Sequence, residues 1–165
     1  MPVYLFTLHT YGSWLPDRAR GYVKRKQGVL EPDAQMAGWY REAMDSSVVE
    51  WTPAQQRSVI AAVRKHCTIK AWTAYAIATD PTHVHALIAW RDRTPWMTVR
   101  RGLKASISRA LNEHSDRRKW LSEGGSRKRV TDQDHFDYLR KVYLPSHRGG
   151  CWDTGQATHA KDQLK

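Results

Sequence analysis

The sequence predicts an α+β fold, specifically a ferredoxin-like sandwich in which an antiparallel sheet carries helices mainly on one face. The predicted elements follow the order strand, loop, helix, strand, strand, helix, possible short strand and helix, which is typical of this class. The turn residues Asp80-Pro81-Thr82 separate the two middle strands and indicate a hairpin. The length of 165 residues suits one domain. We expect residues 1–153 to form it and residues 154–165 to be a flexible tail.

The chain opens with a predicted strand and a long loop. Val3 to Thr10 is rich in β-branched and aromatic residues and alternates in polarity, which indicates a strand. Residues 11–28 contain glycine, proline and many charges, which argue against regular structure. Because Tyr11, Trp14 and Leu15 are costly to leave exposed, part of this loop should pack on the core. Long packed loops are often functional.

A helix is predicted from Thr52 to His66. Thr52 is a suitable N-cap and Pro53 suits the first helical position. Three aliphatic residues then share one face, namely Val59, Ile60 and Val63.

Two strands, Ile69 to Thr79 and His83 to Trp90, are predicted to form the hairpin. Successive side chains of a strand point to opposite faces. His83 and His85 should therefore project from one face, while Val84 points into the opposite layer.

The second half of the chain is predicted to contain two helices. Thr98 to Glu113 has apolar residues at four-residue steps, which predicts an amphipathic helix. Residues 114–130 are polar and basic and leave room for a short strand. Residues 132–152 follow, and their first half is predicted to be helical until Pro145 ends the helix.

Composition points to a polyanionic partner. Lys and Arg number 27 against 16 Asp and Glu, so the formal net charge is +11 and the isoelectric point is near 10.0. Eight Trp and seven Tyr accompany this charge and offer stacking surfaces for unpaired bases. We expect a nucleic acid partner, although a basic protein without such a partner has the same composition.

Several other classes of protein are disfavoured. Cys67 and Cys151 are the only cysteines, too few for a disulfide framework, and they form no CxxC pair. The N-terminus has no basic lead followed by a long apolar stretch, and no run approaches the length of a membrane span. These features predict a cytoplasmic protein without a membrane partner.

His83 and His85 are the first candidate ligands of a metal ion. Two imidazoles on one strand face converge on one point and leave other coordination positions open for substrate oxygens. Imidazole suits Mn, Zn, Ni or Co, whereas Mg prefers oxygen. The competing interpretation is a hydrogen-bonded pair of surface histidines.

Two tyrosines near the C-terminus are candidate nucleophiles. Tyr138 lies on the last predicted helix, and Tyr143 begins the stretch Tyr143-Leu144-Pro145-Ser146-His147. A tyrosine oxygen forms a covalent intermediate when a metal polarises the phosphate under attack. Each tyrosine taken alone is equally consistent with a structural role.

These features together resemble the HUH endonuclease superfamily, specifically its single-tyrosine transposases, which include insertion-sequence enzymes and REP-associated tyrosine transposases. The resemblance is carried by His83-Val84-His85, by the early segment Thr7 to Pro16, by the helix containing Leu103-Lys104 and by the C-terminal tyrosine segment. It spans Val3 to about Trp152.

The resemblance implies a ligand set. In that family a Gln, Asn or His about four residues after the tyrosine completes the metal site. Tyr143 and His147 have this spacing, although Pro145 lies between them, whereas Val142 follows Tyr138 and cannot bind a metal. We therefore expect Tyr143 as nucleophile with His83, His85 and His147 as ligands. Tyr138 is the alternative nucleophile, with His135 as its ligand.

The resemblance also implies a reaction and partners. A divalent metal ion, Mg or Mn, would polarise a phosphate of single-stranded DNA, and tyrosine attack would give a 5′-phosphotyrosine link with a free 3′-hydroxyl. Family members act as dimers on DNA hairpins. Candidate phosphate contacts are Arg100, Arg101, Lys104 and Arg109, each of which could equally belong to a solvated helix face.

Three rival classes were weighed against this one. Histidine-triad nucleotide hydrolases require a histidine where Leu87 stands. Relaxases usually add a third histidine to the same motif or a second nearby tyrosine, which Tyr138 and Tyr143 only faintly satisfy. The serious alternative is a domesticated, non-cleaving nucleic-acid-binding protein with the same fold and a decayed metal site, as Val142 and Pro145 permit.

Overall fold

The computed structural model describes residues 1–17, 19, 21–24, 27–44, 46–117 and 119–155. The elements run in the order β1 (Val3–His9), β2 (Tyr22–Lys24), β3 (Gly28–Leu30), α1 (Ala34–Glu42), α2 (Pro53–Ile69), β4 (Thr73–Asp80), β5 (His83–Ala89), α3 (Trp96–Asn112), β6 (Ser126–Arg129), α4 (Gln133–Tyr138) and β7 (Cys151–Asp153). A π-helical turn, Leu139–Tyr143, and a 3₁₀ turn, Leu144–Ser146, continue α4.

Five of the strands form one antiparallel sheet, in the order β6-β1-β5-β4-β7. Apart from the ribbon β2–β3 and the helix α1, four strands of this sheet follow one another as β1, α2, β4, β5, α3, β6, which is the β-α-β-β-α-β arrangement of a ferredoxin-like sandwich. The α+β prediction is therefore confirmed. β7 extends the sheet beyond β4, and β2 and β3 pair separately as a two-stranded ribbon.

The two faces of the sheet pack against different helices. Phe6, Leu8 and Val84 point to the face covered by α2 and α3, where the larger hydrophobic core lies. Leu5 and Leu87 alternate with them and point to the other face, where they pack against the helical segment that follows β6. His83 and His85 of β5 also point to this second face.

The helix α2 runs one turn further than its sequence predicted. It ends at Ile69 rather than His66, and the amides of Lys70 and Trp72 close it by donating to the carbonyls of His66 and Cys67. The chain reverses at Ala71, whose φ of 53° lies in the left-handed region. The prediction of a strand beginning at Ile69 was therefore wrong, and β4 begins at Thr73.

Three further elements were not predicted. The ribbon β2–β3 begins within the segment 11–28 that was predicted to be a loop, and it exists through cross-strand pairing of two three-residue segments. The helix α1 is the second such element, and the side chain of Asp33 caps it by accepting a hydrogen bond from the Met36 amide at 2.8 Å. β7 has three residues and forms by pairing with β4. The Thr154 amide continues this pairing, donating to the Tyr75 carbonyl at 2.9 Å, while residues 156–165 of the predicted tail lie outside the described residues.

A buried amide fastens the C-terminal segment to the sheet. Gln56 is 5% exposed, and its Oε1 accepts from the Thr79 hydroxyl at 3.0 Å while its Nε2 donates to the Trp51 carbonyl at 3.1 Å. Thr79 then binds the backbone of Gly150 in both directions, because its amide donates to the Gly150 carbonyl at 2.8 Å and its hydroxyl accepts from the Gly150 amide at 3.0 Å. The chain just before β7 is thus held in contact with α2 and β4.

Gly149→Ala is expected to lower the free energy of unfolding by about 1–3 kcal/mol, because a β-carbon would overlap Gln56 Oε1 and the Thr79 carbonyl. Urea denaturation measures this change. Gly38→Ala in α1 is the matched control, since no atom lies within 4 Å of its added carbon and alanine favours helix by about 1 kcal/mol. Equal stability of Gly149→Ala and wild type would contradict this close packing.

Candidate metal and tyrosine site

Three histidines meet on the face of the sheet opposite α2 and α3. His83 and His85 project from β5, as predicted from the period of a strand, and His147 follows the 3₁₀ turn. One ligand nitrogen from each lies within 4.8 Å of the other two. These three side chains could therefore hold a metal ion.

His85 is oriented from the neighbouring strand. The register of β1 and β5 places Thr7 opposite His85. The Thr7 hydroxyl lies 2.8 Å from His85 Nδ1, and the histidine is only 5% exposed. Because Nδ1 is engaged by Thr7, the ring presents Nε2 to the centre of the cluster.

His83 is linked to the C-terminal segment through Asp80. The Asp80 Oδ2 atom lies 3.6 Å from His83 Nε2, and its Oδ1 accepts from the Arg148 amide at 3.0 Å. The Thr82 hydroxyl approaches His83 Nδ1 at 3.2 Å. One carboxylate therefore contacts both a histidine of β5 and the backbone next to His147.

His147 has a fixed tautomer. Its Nδ1 lies 3.0 Å from the Tyr143 carbonyl and 3.1 Å from the Leu144 carbonyl. Both partners are acceptors, so Nδ1 carries the proton and Nε2 keeps its lone pair. Pro145 does not prevent this arrangement, because it lies within the 3₁₀ turn and the chain becomes extended at His147, where ψ is 143°.

The π-helical turn determines which tyrosine faces the histidines. In an α-helix, residues five apart point in different directions, whereas a wider π turn brings them towards one face. Tyr138 and Tyr143 accordingly stack, with ring centroids 6.5 Å apart and planes 28° apart. Tyr143 is the inner ring, 5.3 Å from the His85 ring and 5.1 Å from that of His147. Tyr138 is 53% exposed.

The Tyr143 hydroxyl lies 3.3 Å from His85 Nε2. Burial raises the pKa of this phenol, with smaller contributions from Tyr138 and Asp80. Burial also lowers the pKa of His85 to about 3, assisted by the positive charges that His83, His147 and His9 can carry. His85 is therefore neutral near pH 7, and its Nε2 lone pair can accept a hydrogen bond from the Tyr143 hydroxyl or bind a metal, but not both.

Acid is expected to destabilise the fold through His85. The pKa of about 3 in the folded protein lies below the ordinary histidine value of 6.5, so the unfolded chain binds the additional proton first. The contribution of neutral His85 to the free energy of unfolding is therefore fully present above pH 6.5 and is lost as the pH falls from 6.5 towards 3. Chemical denaturation across this range should show a shallower pH dependence for His85→Gln than for wild type. Parallel curves would show that His85 titrates normally in the folded protein.

The donor set fits a metal that accepts nitrogen ligands. Three imidazole donors suit Mn, Zn, Co or Ni better than Mg, which prefers oxygen. Thr7 and backbone carbonyls engage the Nδ1 atoms of His85 and His147, the type of support that ligating histidines generally have. His135 is not part of the three-histidine cluster found among the described residues.

The four cationic residues predicted to contact phosphate divide into two pairs. Arg100 donates to the Gly125 carbonyl at 2.8 Å, and Lys104 donates to the carbonyls of Ser122, Glu123 (2.7 Å) and Gly124 (3.1 Å). The Lys104 ammonium thus binds the loop before β6 with all three of its donors. Arg101 and Arg109 are exposed on α3. Contact with DNA phosphates therefore stays a prediction, and Arg101 and Arg109 suit it better than Arg100 and Lys104 do.

Several residues around the cluster were missed by sequence reasoning. Thr7 and Asp80 contact the histidines directly, and the His9 ring lies 5.6 Å from that of His83. The pairing register of β1 and β5 would have identified Thr7 and His9, since they lie opposite His85 and His83. That register was not predictable from the sequence pattern alone.

The fold and the site define a class: an α+β protein in which two histidines of the sheet and one of the C-terminal segment lie beside a tyrosine hydroxyl. In overall structure the chain is similar to a REP-associated tyrosine transposase bound to a REP hairpin, at 10% sequence identity and a TM-score of 0.48. The likeness covers 87% of this chain and 66% of the other, so the chain spans slightly less than two thirds of that protein. No family model and no curated protein matches the sequence. Among the described residues, none of the helices has the length and apolar character needed to span a bilayer.

Proposed function

We propose that this protein is a metal-dependent endonuclease and strand-transfer enzyme for single-stranded DNA, of the HUH tyrosine transposase type. The observation that carries the proposal is the Tyr143 hydroxyl 3.3 Å from His85 Nε2, at the edge of a cluster of three histidines. A nucleophile next to ligands with open coordination positions is the arrangement that phosphate attack requires.

The residues have distinct roles in this reaction. His83, His85 and His147 hold a divalent ion, for which Mn suits the imidazole donors better than Mg. When bound, such an ion withdraws charge from a phosphate oxygen and so favours nucleophilic attack. Thr7 keeps His85 in the required orientation, and the π-helical turn keeps the Tyr143 oxygen beside it. If His85 Nε2 were a ligand of that ion, the Tyr143 hydroxyl would no longer have this nitrogen as its hydrogen-bond partner.

The bond changes balance without a further reactant. The Tyr143 oxygen forms a bond to phosphorus while the bond from phosphorus to the 3′-oxygen breaks. The phenolic proton passes to solvent, and the leaving 3′-oxygen takes up a proton to become a hydroxyl. The resulting phosphotyrosine ester keeps the energy of the broken bond, so attack by another 3′-hydroxyl rejoins strands without ATP.

Charge supports a nucleic acid as the substrate. The net charge of +11 favours a polyanion, and exposed cations such as Arg101 and Arg109 are available to contact its phosphates. Hairpin DNA is the form we propose, by resemblance to the single-tyrosine transposases. A homodimer is expected on the same ground, and analytical ultracentrifugation tests it.

A covalent adduct assay tests the proposal. The protein is incubated with 5′- and 3′-labelled hairpin DNA carrying single-stranded flanks, with Mn²⁺ or with EDTA, and separated in SDS. We expect a protein-linked product in Mn²⁺ that retains the label on the 3′ side of the break. Hairpin binding without any adduct would instead support the non-cleaving DNA-binding alternative.

A further inference from the structure

An exposed tryptophan lies beside the histidine cluster. Trp14 is 43% exposed, although the sequence predicted that its loop would pack on the core. Tyr11 from the same loop does pack against the main core, so the exposure of Trp14 is specific to that residue. Nearly half of this aromatic side chain therefore remains accessible to a ligand, while its ring contacts His9.

The loop that carries Trp14 is fastened to the turn before His83. The Thr10 amide donates to the Thr82 carbonyl at 2.9 Å, and the Ser13 hydroxyl lies 2.9 Å from the Thr10 carbonyl and 3.2 Å from that of Thr82. Thr10 itself is fully buried. The indole is therefore held at a defined position relative to His83.

A row of rings connects Trp14 to the cluster. The centroids of Trp14 and His9 are 4.3 Å apart, those of His9 and His83 5.6 Å, and those of His83 and His85 4.8 Å. A nucleotide whose phosphate lies at the histidines would thus have a flanking base within reach of the indole.

We propose that Trp14 forms a stacking subsite for an unpaired base next to the phosphate held at the histidine cluster. The subsite rests on the proposed function and adds the requirement that the nucleotide flanking the break be single-stranded, because a paired and stacked base cannot present its face to the indole. Base–aromatic stacking tolerates any base, so the subsite recognises strandedness rather than sequence. Trp14 is a positioning residue, since it contacts the substrate away from the reacting atoms.

Binding measured in EDTA tests the subsite without requiring cleavage. The probe is a fluorescent DNA hairpin with single-stranded flanks, and the readout is its Kd. Trp14→Leu, which keeps apolar bulk but removes the π face, is expected to weaken binding about ten-fold, while Trp14→Phe stays within about three-fold of wild type. Trp39→Leu is the matched control, because Trp39 is 61% exposed on α1 and has no place in this subsite.

Abasic substitutions along the flanks locate the stacked base. At one flank position, removal of the base should weaken binding to the wild-type protein by about ten-fold. The same abasic DNA should bind Trp14→Leu almost as well as intact DNA does, because the protein change and the DNA change remove one and the same interaction. Fully paired duplex DNA should bind wild type and Trp14→Leu equally. Circular dichroism establishes that each variant is folded, and Trp14→Phe provides the comparison if Trp14→Leu is not.

The outcomes separate the subsite from the proposed reaction. Equal affinity of wild type and Trp14→Leu, or equal penalties at the abasic position in both, would overturn the subsite even if wild type forms the DNA adduct. Absence of the adduct with Trp14-dependent binding intact would overturn the cleavage proposal and leave the subsite in place. Failure of wild type to bind single-stranded flanks at all would overturn both.

Discussion

Replacing Tyr143 with Phe is expected to abolish the covalent DNA adduct, because the change removes the attacking oxygen and leaves the ring that packs against His85 and His147. Hairpin affinity should stay within about two-fold of wild type, since the lost hydroxyl makes one hydrogen bond, to His85. Adduct formation is followed on SDS gels, and affinity by fluorescence anisotropy.

Tyr138→Phe is the matched control for that variant. Tyr138 stacks on the outer side of Tyr143, so its hydroxyl is not the one beside the histidines. Adduct yield should remain within a few-fold of wild type. Mass spectrometry of the digested adduct identifies the modified residue. DNA attached to Tyr138 would mean that the helical segment rearranges before attack, and His135 would then become the third ligand to test.

The double substitution His83→Ala and His85→Ala is expected to remove metal binding and to reduce cleavage by about a thousand-fold or more. The reason is that a metal supplies several kcal/mol of transition-state stabilisation, and one kcal/mol corresponds to about a five-fold change in rate. Mn²⁺ binding is measured directly by electron paramagnetic resonance, independently of DNA. Hairpin affinity in EDTA should change little.

His114→Ala provides the control for this double variant, because His114 is exposed after the end of α3 and is not part of the histidine cluster. It should bind Mn²⁺ and cleave DNA like wild type. Cleavage at the wild-type rate with Mn²⁺ binding intact in the double variant would show that the cluster is not the metal site. Loss of Mn²⁺ binding with cleavage preserved would point to a reaction that does not depend on the ion.

The sequence predicted best what depends on local periodicity. The alternation of β5 placed His83 and His85 on one face, because this relationship involves near neighbours in the chain. The pairing of Tyr143 with His147 instead came from the resemblance to the single-tyrosine transposases. Pro145 lies between Tyr143 and His147 and argued against a regular helix that would bring them together. The 3₁₀ turn that accommodates it could not be predicted, since it depends on the packing of Leu139 and Leu144 against the sheet.

Contacts between distant segments could not be predicted from the sequence. Thr7 and His85 are 78 positions apart, and only the pairing register of two strands brings them together. The pattern of α3 likewise left Lys104 free for a phosphate, because no local rule indicates that the loop at Ser122 folds back over it. β7 was missed because three residues carry too little periodicity to indicate a strand.

The pairing of β7 with β4 has a consequence for biosynthesis. Two of the clustered histidines lie at positions 83 and 85, whereas Tyr143 and His147 come about sixty residues later, shortly before Gly150 and Cys151–Asp153 contact β4 beside Thr79 and Ile77. During synthesis β5 is therefore made before the segment that carries the tyrosine and the third histidine. The cluster is complete only after that segment has been made and has packed on the sheet.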